Sequence, residues 1–186
     1  MKKIIFAICI LAGLSASQTR KTEKIKGFSH PAGICNVMGS LYVTDLGKTS
    51  SAIAKDRDGA IAEVNEKGEV ESKNILAGLA NAKIDAPKGI TSFNYRNKST
   101  GFSMMRKAIA ITDIDKVYAY ELLYKSRVFY LDLSSESKSL GGIVALNDSI
   151  LLVAASDIDA IFKININTKL YEKLPVPKMK SPRGLC

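Results

Sequence analysis

An all-β fold assembled from repeated four-stranded units is predicted by three recurring words in this 186-residue sequence. A glycine word recurs as "PAGI" at Gly33, "PKGI" at Gly89, "LGGI" at Gly142 and "PRGL" at Gly184, in steps of 56, 53 and 42 residues. A second word follows as "LYVTDLG" (Leu41 to Gly47), "IAITDID" (Ile109 to Asp115) and "LLVAASDID" (Leu151 to Asp159). A third, "GAIAEVNEKGEV" (Gly59 to Val70) and "AIFKININTKLYEKL" (Ala160 to Leu174), alternates apolar and polar residues around a polar turn. The period suits sheet repeats of about 40 to 50 residues and is too long for helical hairpins of about 33 or 34.

Each word has a structural reading. The second is a short strand, rich in β-branched and aromatic residues, that ends on Thr or Ser followed by Asp, residues that leave a ladder and begin a turn. The third is a hairpin, turning at Asn65 to Gly68 and again at Asn165 to Thr168. A glycine strand, a strand ending in Asp and a hairpin make four antiparallel strands, the composition of a β-propeller blade. About three blades and the start of a fourth are present, and the unequal steps imply loop insertions. Tyr118 to Ser126 reads either as a short helix or as an inserted strand.

The N-terminus is different in kind. Lys2 and Lys3, the apolar run Ile4 to Leu14 and the small residues Ser15-Ala16-Ser17 follow the order of a cleaved secretory signal. The run is too short to span a bilayer core, which needs roughly twenty residues. The expected organisation is a signal peptide over 1–17 and a partial propeller over 18–186, exported to the periplasm or outside the cell, with no transmembrane segment after cleavage.

Composition narrows the function classes. At 46% hydrophobic and 24% charged the chain reads as a folded domain. Without residues 1–17 it carries 25 basic and 18 acidic residues, a net +7. The positive charges are scattered through turns rather than gathered into a stripe with aromatics, which argues against nucleic acid. Cys35 and Cys186 hold equivalent places in non-adjacent repeats, too far apart for the Cα separation of a disulfide, so Cys35 is expected to be a small buried apolar residue.

The blade words "HPAGI…LYVTDLG…GAIAEVNEKGEV" resemble those of secreted NHL-repeat propellers and of the gluconolactonase and senescence-marker-protein superfamily, over roughly residues 24 to 186. Members of these groups generally close a ring of six blades. The resemblance therefore implies an incomplete six-bladed ring, a truncated propeller or one whose ring other copies complete by self-association through open blade edges. Calcium-dependent lactonases of the superfamily take ligands from a Glu near the start of the first blade, from Asn residues and from an Asp just before the glycine. Here the pre-glycine residues are Ala32, Lys88, Gly141 and Arg183, none of them a carboxylate, and "GFSHPAG" has no Glu.

Candidate sites follow from the same words. Asp45, Asp113 and Asp157 end equivalent strands, so they either line the mouth of the channel as oxygen ligands for calcium or cap their turns through backbone amides. Asn36, Asn94 and Asn147 are neutral oxygen donors of the same ambiguity. The segment Asn94 to Lys107 lengthens the second unit, and Tyr95, Arg96 and Arg106 within it are candidate ligand-binding residues. "LGKTSS" lacks the glycine five residues before Gly47 that a phosphate loop requires. With His30 as the sole histidine and no Gly-x-Ser-x-Gly elbow, nucleophilic hydrolysis is disfavoured, and His30 is expected to pack or cap at the entrance to the first glycine strand. The expected function is a secreted propeller module that recognises a protein or small ligand without chemistry of its own. The alternative is a calcium-dependent lactone or ester hydrolase.

Overall fold

The computed structural model describes residues 24–79, 82–97, 104–175 and 179–185, and every regular element among them is a strand. The predicted signal segment 1–17, Cys186 and the middle of the second unit's long segment, 98–103, lie outside the described residues.

Twelve strands form three four-stranded antiparallel sheets, each a simple up-and-down meander. Blade one is β1 (Pro31–Val37), β2 (Ser40–Asp45), β3 (Ala60–Val64) and β4 (Val70–Ser72). Blade two is β5 (Ile90–Asn97), β6 (Met104–Thr112), β7 (Lys116–Glu121) and β8 (Arg127–Asp132). Blade three is β9 (Leu140–Ala145), β10 (Ile150–Ala155), β11 (Ala160–Asn165) and β12 (Tyr171–Leu174). First strands neighbour first strands, β1 beside β5 and β5 beside β9. The blades are thus arranged radially, with the glycine words at the centre and the fourth strands outside. This is an incomplete β-propeller, an open arc of three blades plus the opening word of a fourth.

Face-to-face burial explains the composition of blade two. Along β6 and β7, Ala108, Ala110, Val117 and Ala119 join a core with Leu151, Val153 and Phe162 of blade three. The intervening Ile109, Ile111, Tyr118 and Tyr120 join a second core with Tyr42 and Ile61 of blade one. A strand covered on both faces has no polar side, so alternation vanishes from its sequence. Tyr118 to Ser126 accordingly continues as strand β7 to Glu121 and then turns. It is neither a helix nor an insertion.

Both predicted hairpin turns are present and use one device. Asn65 Oδ1 accepts the Lys67 and Glu69 amides, and Asn165 Oδ1 accepts those of Asn167 and Thr168. The extra length of blade two is a longer β5–β6 ladder, paired from Ile90 with Ile111 to Asn97 with Met104.

Adjacent blades touch most closely at the glycine words. A Cβ on Gly89 would lie 2.6 Å from the Gly141 carbonyl oxygen, and one on Gly142 would lie 2.7 Å from that of Arg183. On Gly33 it would overlap the Lys88 carbonyl. Each glycine therefore admits the backbone of the next word, and the Arg183 word occupies the fourth place in the series. A threonine hydroxyl seals two of the contacts: Thr44 Oγ1 accepts the Gly33 amide at 2.8 Å and donates to Lys88 O at 2.8 Å. Thr112 Oγ1 accepts the Gly89 amide at 2.8 Å and donates to Gly141 O at 2.5 Å. Blade three has Ala154 where a threonine would stand, and there the Gly142 amide donates directly to Arg183 O at 2.5 Å.

Two substitutions test this junction by chemical denaturation. Gly89→Ala forces a methyl group against backbone and is expected to destabilise by about 1 to 3 kcal/mol. Thr112→Val strands a buried amide and a buried carbonyl, for a loss of about 1 to 3 kcal/mol, with Thr112→Ser recovering most of it.

Candidate functional site

Because the carbonyls of Lys88, Gly141 and Arg183 are each held by the preceding blade, the residues that carry them are fixed in place at the inner margin of the arc. There the three first strands and the fourth word enclose a groove of about 600 Å³, within the range of small-molecule sites. Its walls are largely apolar, with Ile34, Leu46, Ile90, Leu140, Ile143 and Leu185 among them, and two of its lining residues are the pre-glycine cations Lys88 and Arg183. The Lys88 Nζ lies 3.3 Å from Ser139 Oγ. Neither cation makes an ion pair among the described residues. Burial holds the Lys88 ammonium below the ordinary lysine range, and the Arg183 guanidinium adds to the effect against the opposing pull of Asp113 and Asp157.

The three strand-ending aspartates are clamps on the segments that lead into their own first strands. Asp45 accepts the Ser29 amide at 2.6 Å and the His30 amide at 2.8 Å. Asp113, 1% exposed, accepts the amides of Asp85, Ala86 and Ile114 at 2.8 to 2.9 Å. Asp157 accepts the Ser137 hydroxyl and the Lys138 amide, both at 2.6 Å. Their oxygens are thus committed to chain donors, and no cluster of three or more His, Cys, Asp or Glu suited to a metal ion occurs among the described residues. Asp159 treats the fourth word similarly, accepting the Ser181 amide at 2.6 Å. The asparagines also bond locally: Asn36 Oδ1 accepts the Gly39 amide, Asn94 Oδ1 the Lys107 ammonium, and Asn147 Oδ1 the Ser149 and Ile150 amides.

Tyr95, Arg96 and Arg106 stand together, but not at the groove. They lie near the far ends of β5 and β6, where Tyr95 pairs with Arg106 and Arg96 with Met105. Arg106 lies 3.9 Å from the buried carboxylate of Glu121 and stacks on the Tyr124 ring at 4.7 Å. His30 caps as expected, its Nδ1 being 2.9 Å from the Gly47 carbonyl oxygen. Cys35 is a half-buried thiol against the core between blades one and two, pushed up to about 12 by burial. The residues that sequence reasoning passed over are Lys88 and Arg183. Their positive charge was a signal against a cation at the pre-glycine position, and the same charge favours an anion.

The clamp reading predicts that Asp113→Ala lowers stability by about 1 to 3 kcal/mol, since buried amides lose their acceptor, equally with calcium present or chelated in a thermal-shift assay. Asp157 gives the corresponding pH signature. Burial alone would raise its carboxyl, but the Ser137 hydroxyl and the Lys138 amide outweigh that and hold it below the ordinary Asp value. Its contribution is present above about pH 4 and is lost as pH falls through its depressed value. Acid titration of Asp157→Asn should accordingly show a shallower loss of stability than the parent.

No family model matches the sequence, and no curated protein matches it either. Solved structures match at the level of fold. A chain of a nidogen/laminin complex superposes with a TM-score of 0.58 at 14% identity, covering 85% of this chain and 52% of that one. A streptogramin B lyase gives 0.47 at 17% identity, covering 84% and 58%. A catalytically inactive virginiamycin B lyase from Staphylococcus aureus with quinupristin gives 0.40 at 13% identity, covering 83% and 73%. Neither lyase, below 0.5 in TM-score, bears on the site. This chain spans about half the length of the nidogen/laminin chain it matches, 52%, and what the two share is a fold.

Proposed function

We propose that the protein is an exported recognition module that holds a small amphipathic anion in the groove between its glycine words and performs no chemistry on it. The observation that carries this reading is the pair of cations, Lys88 and Arg183, lining a largely apolar cavity with no ion-pair partner among the described residues. Lys88 is half-buried and Arg183 exposed at the groove; a bound carboxylate, sulfonate or phosphate offsets the cost of burying the Lys88 charge and pairs with Arg183, while the aliphatic walls cover an apolar body. The net charge of +7 without residues 1–17 adds long-range attraction for such a ligand. Export rests on the order of residues in 1–17.

The fluorescent probe 1-anilinonaphthalene-8-sulfonate has both features and serves for titration. Each charged contact is worth about 1.5 to 3 kcal/mol, so Lys88→Gln with Arg183→Gln should weaken binding at least about tenfold. Affinity should also fall on the alkaline side as Lys88 deprotonates, earlier than an ordinary lysine at about pH 10.4. Unchanged affinity in the double variant would remove the groove as the site.

A further inference from the structure

The opposite end of the arc has a different surface. Because every blade is a meander that starts at the groove, the turns β1–β2, β3–β4, β7–β8, β9–β10 and β11–β12 fall at the end remote from it, as does the Asn97–Met104 end of the β5–β6 ladder. Exposed large apolar side chains concentrate there. In blades two and three, Met104, Met105, Leu123, Tyr124, Leu146 and Leu170 stand at these turns with 50% to 71% of their surface exposed. Among the described residues Met38 of blade one, at 82%, is the most exposed large apolar side chain, and it lies at the same end. Several large apolar side chains exposed at one end of the arc mark an interaction face.

The charge around these tips in blades two and three is mainly positive, with Asp148 an exposed acid among them. Exposed Arg96, Lys107, Lys125 and Lys169 flank them. The acids of the same turns in blades two and three are occupied: Asp148 accepts the Asn94 amide at 3.1 Å, and Glu121 is buried, accepting the Leu123 and Tyr124 amides. Two tips also keep long side chains where glycine is easier on the backbone, with Lys125 at φ 54° and Lys169 at φ 60°. The Arg106 guanidinium against the Tyr124 ring holds that aromatic at the surface.

From this juxtaposition we propose that the turn end of blades two and three docks on an anionic lipid bilayer, its apolar tips entering the interface while the flanking cations meet the headgroups. Separate protruding tips of Met, Leu and Tyr, each beside a Lys or Arg, suit an interface that is apolar a few ångströms below a negative surface. An acidic protein would require the cations but not the tips.

The test uses the full chain and vesicles of phosphatidylcholine with or without phosphatidylglycerol, in cosedimentation. The protein should partition onto the anionic vesicles and far less onto the neutral ones, weakening as salt rises. Lys125→Glu and Lys169→Glu should each weaken it by about fivefold or more, and Leu123→Ser with Leu170→Ser should weaken it again. All variants share residues 1–17, so any pull from that segment is common to them. The chain has no tryptophan, so Leu123→Trp provides a single reporter whose emission should move to shorter wavelength on anionic vesicles. Equal binding to both vesicle types, variants that bind like the parent, or an unshifted Leu123→Trp would overturn the proposal. Capture by polyglutamate without vesicle binding would also overturn it, assigning the face to an acidic polypeptide.

Discussion

The approach of one blade's glycine to the next blade's carbonyl is the contact on which the arc depends. Face-to-face burial of leucine, isoleucine and phenylalanine supplies most of the attraction between blades, but it is tolerant of sliding. The glycine contact is not, because a threonine hydroxyl must reach an amide in its own blade and a carbonyl in the next at once. Thr44 and Thr112 do this with all three groups buried or nearly so, and an unpaired member would forfeit its hydration without replacement. Blade three reaches the same spacing without a hydroxyl, since Ala154 stands in the threonine place and the Gly142 amide meets Arg183 O directly. What is constant is the closeness of two backbones, and the hydroxyl is one of two ways to satisfy it.

This junction separates structural from free positions within each word. In "PKGI" the glycine, the carbonyl of Lys88 and the amide of Gly89 are all committed, whereas the Lys88 side chain is not. The pre-glycine side chain is therefore the place where chemistry can vary without disturbing the blade. Ala32, Lys88, Gly141 and Arg183 occupy it here, and only the two cations bring a functional group to the groove.

Fold was legible because its constraints are local and repeat. Glycine at each close approach, aspartate at each strand end and asparagine at each hairpin are single-residue requirements, visible wherever the chain repeats them. Blade two was harder to read for a physical reason: Val117 to Tyr120 face cores on both sides, so the period-two signal that marks a half-exposed strand is missing. The site was less legible still. Asp45, Asp113 and Asp157 fit equally well in sequence as ligands or as caps, and only the position of the chain donors around them discriminates. Tyr95, Arg96 and Arg106 lie on paired strands, and which end of the blade they occupy follows from the length of the β5–β6 ladder, a distance that composition does not encode.

The two ends of the arc differ because their loops have different obligations. At the groove end, connections must lead the chain into the next first strand and satisfy the amides exposed on the way, which uses Asp45, Asp113 and Asp157 and ties Lys55 to Asp115 at 2.9 Å. At the other end the turns are closed by their own Asn or Glu residues, as Asn65, Asn165 and Glu121 do. Side chains such as Leu123, Lys125, Lys169 and Leu170 are left with no part in closing the turn. A fold that needs nothing from those positions would be served as well by serine or asparagine there. Large exposed apolar residues cost solubility, and Lys125 and Lys169 at positive φ cost backbone strain, costs that contact with a membrane surface of the kind proposed would offset.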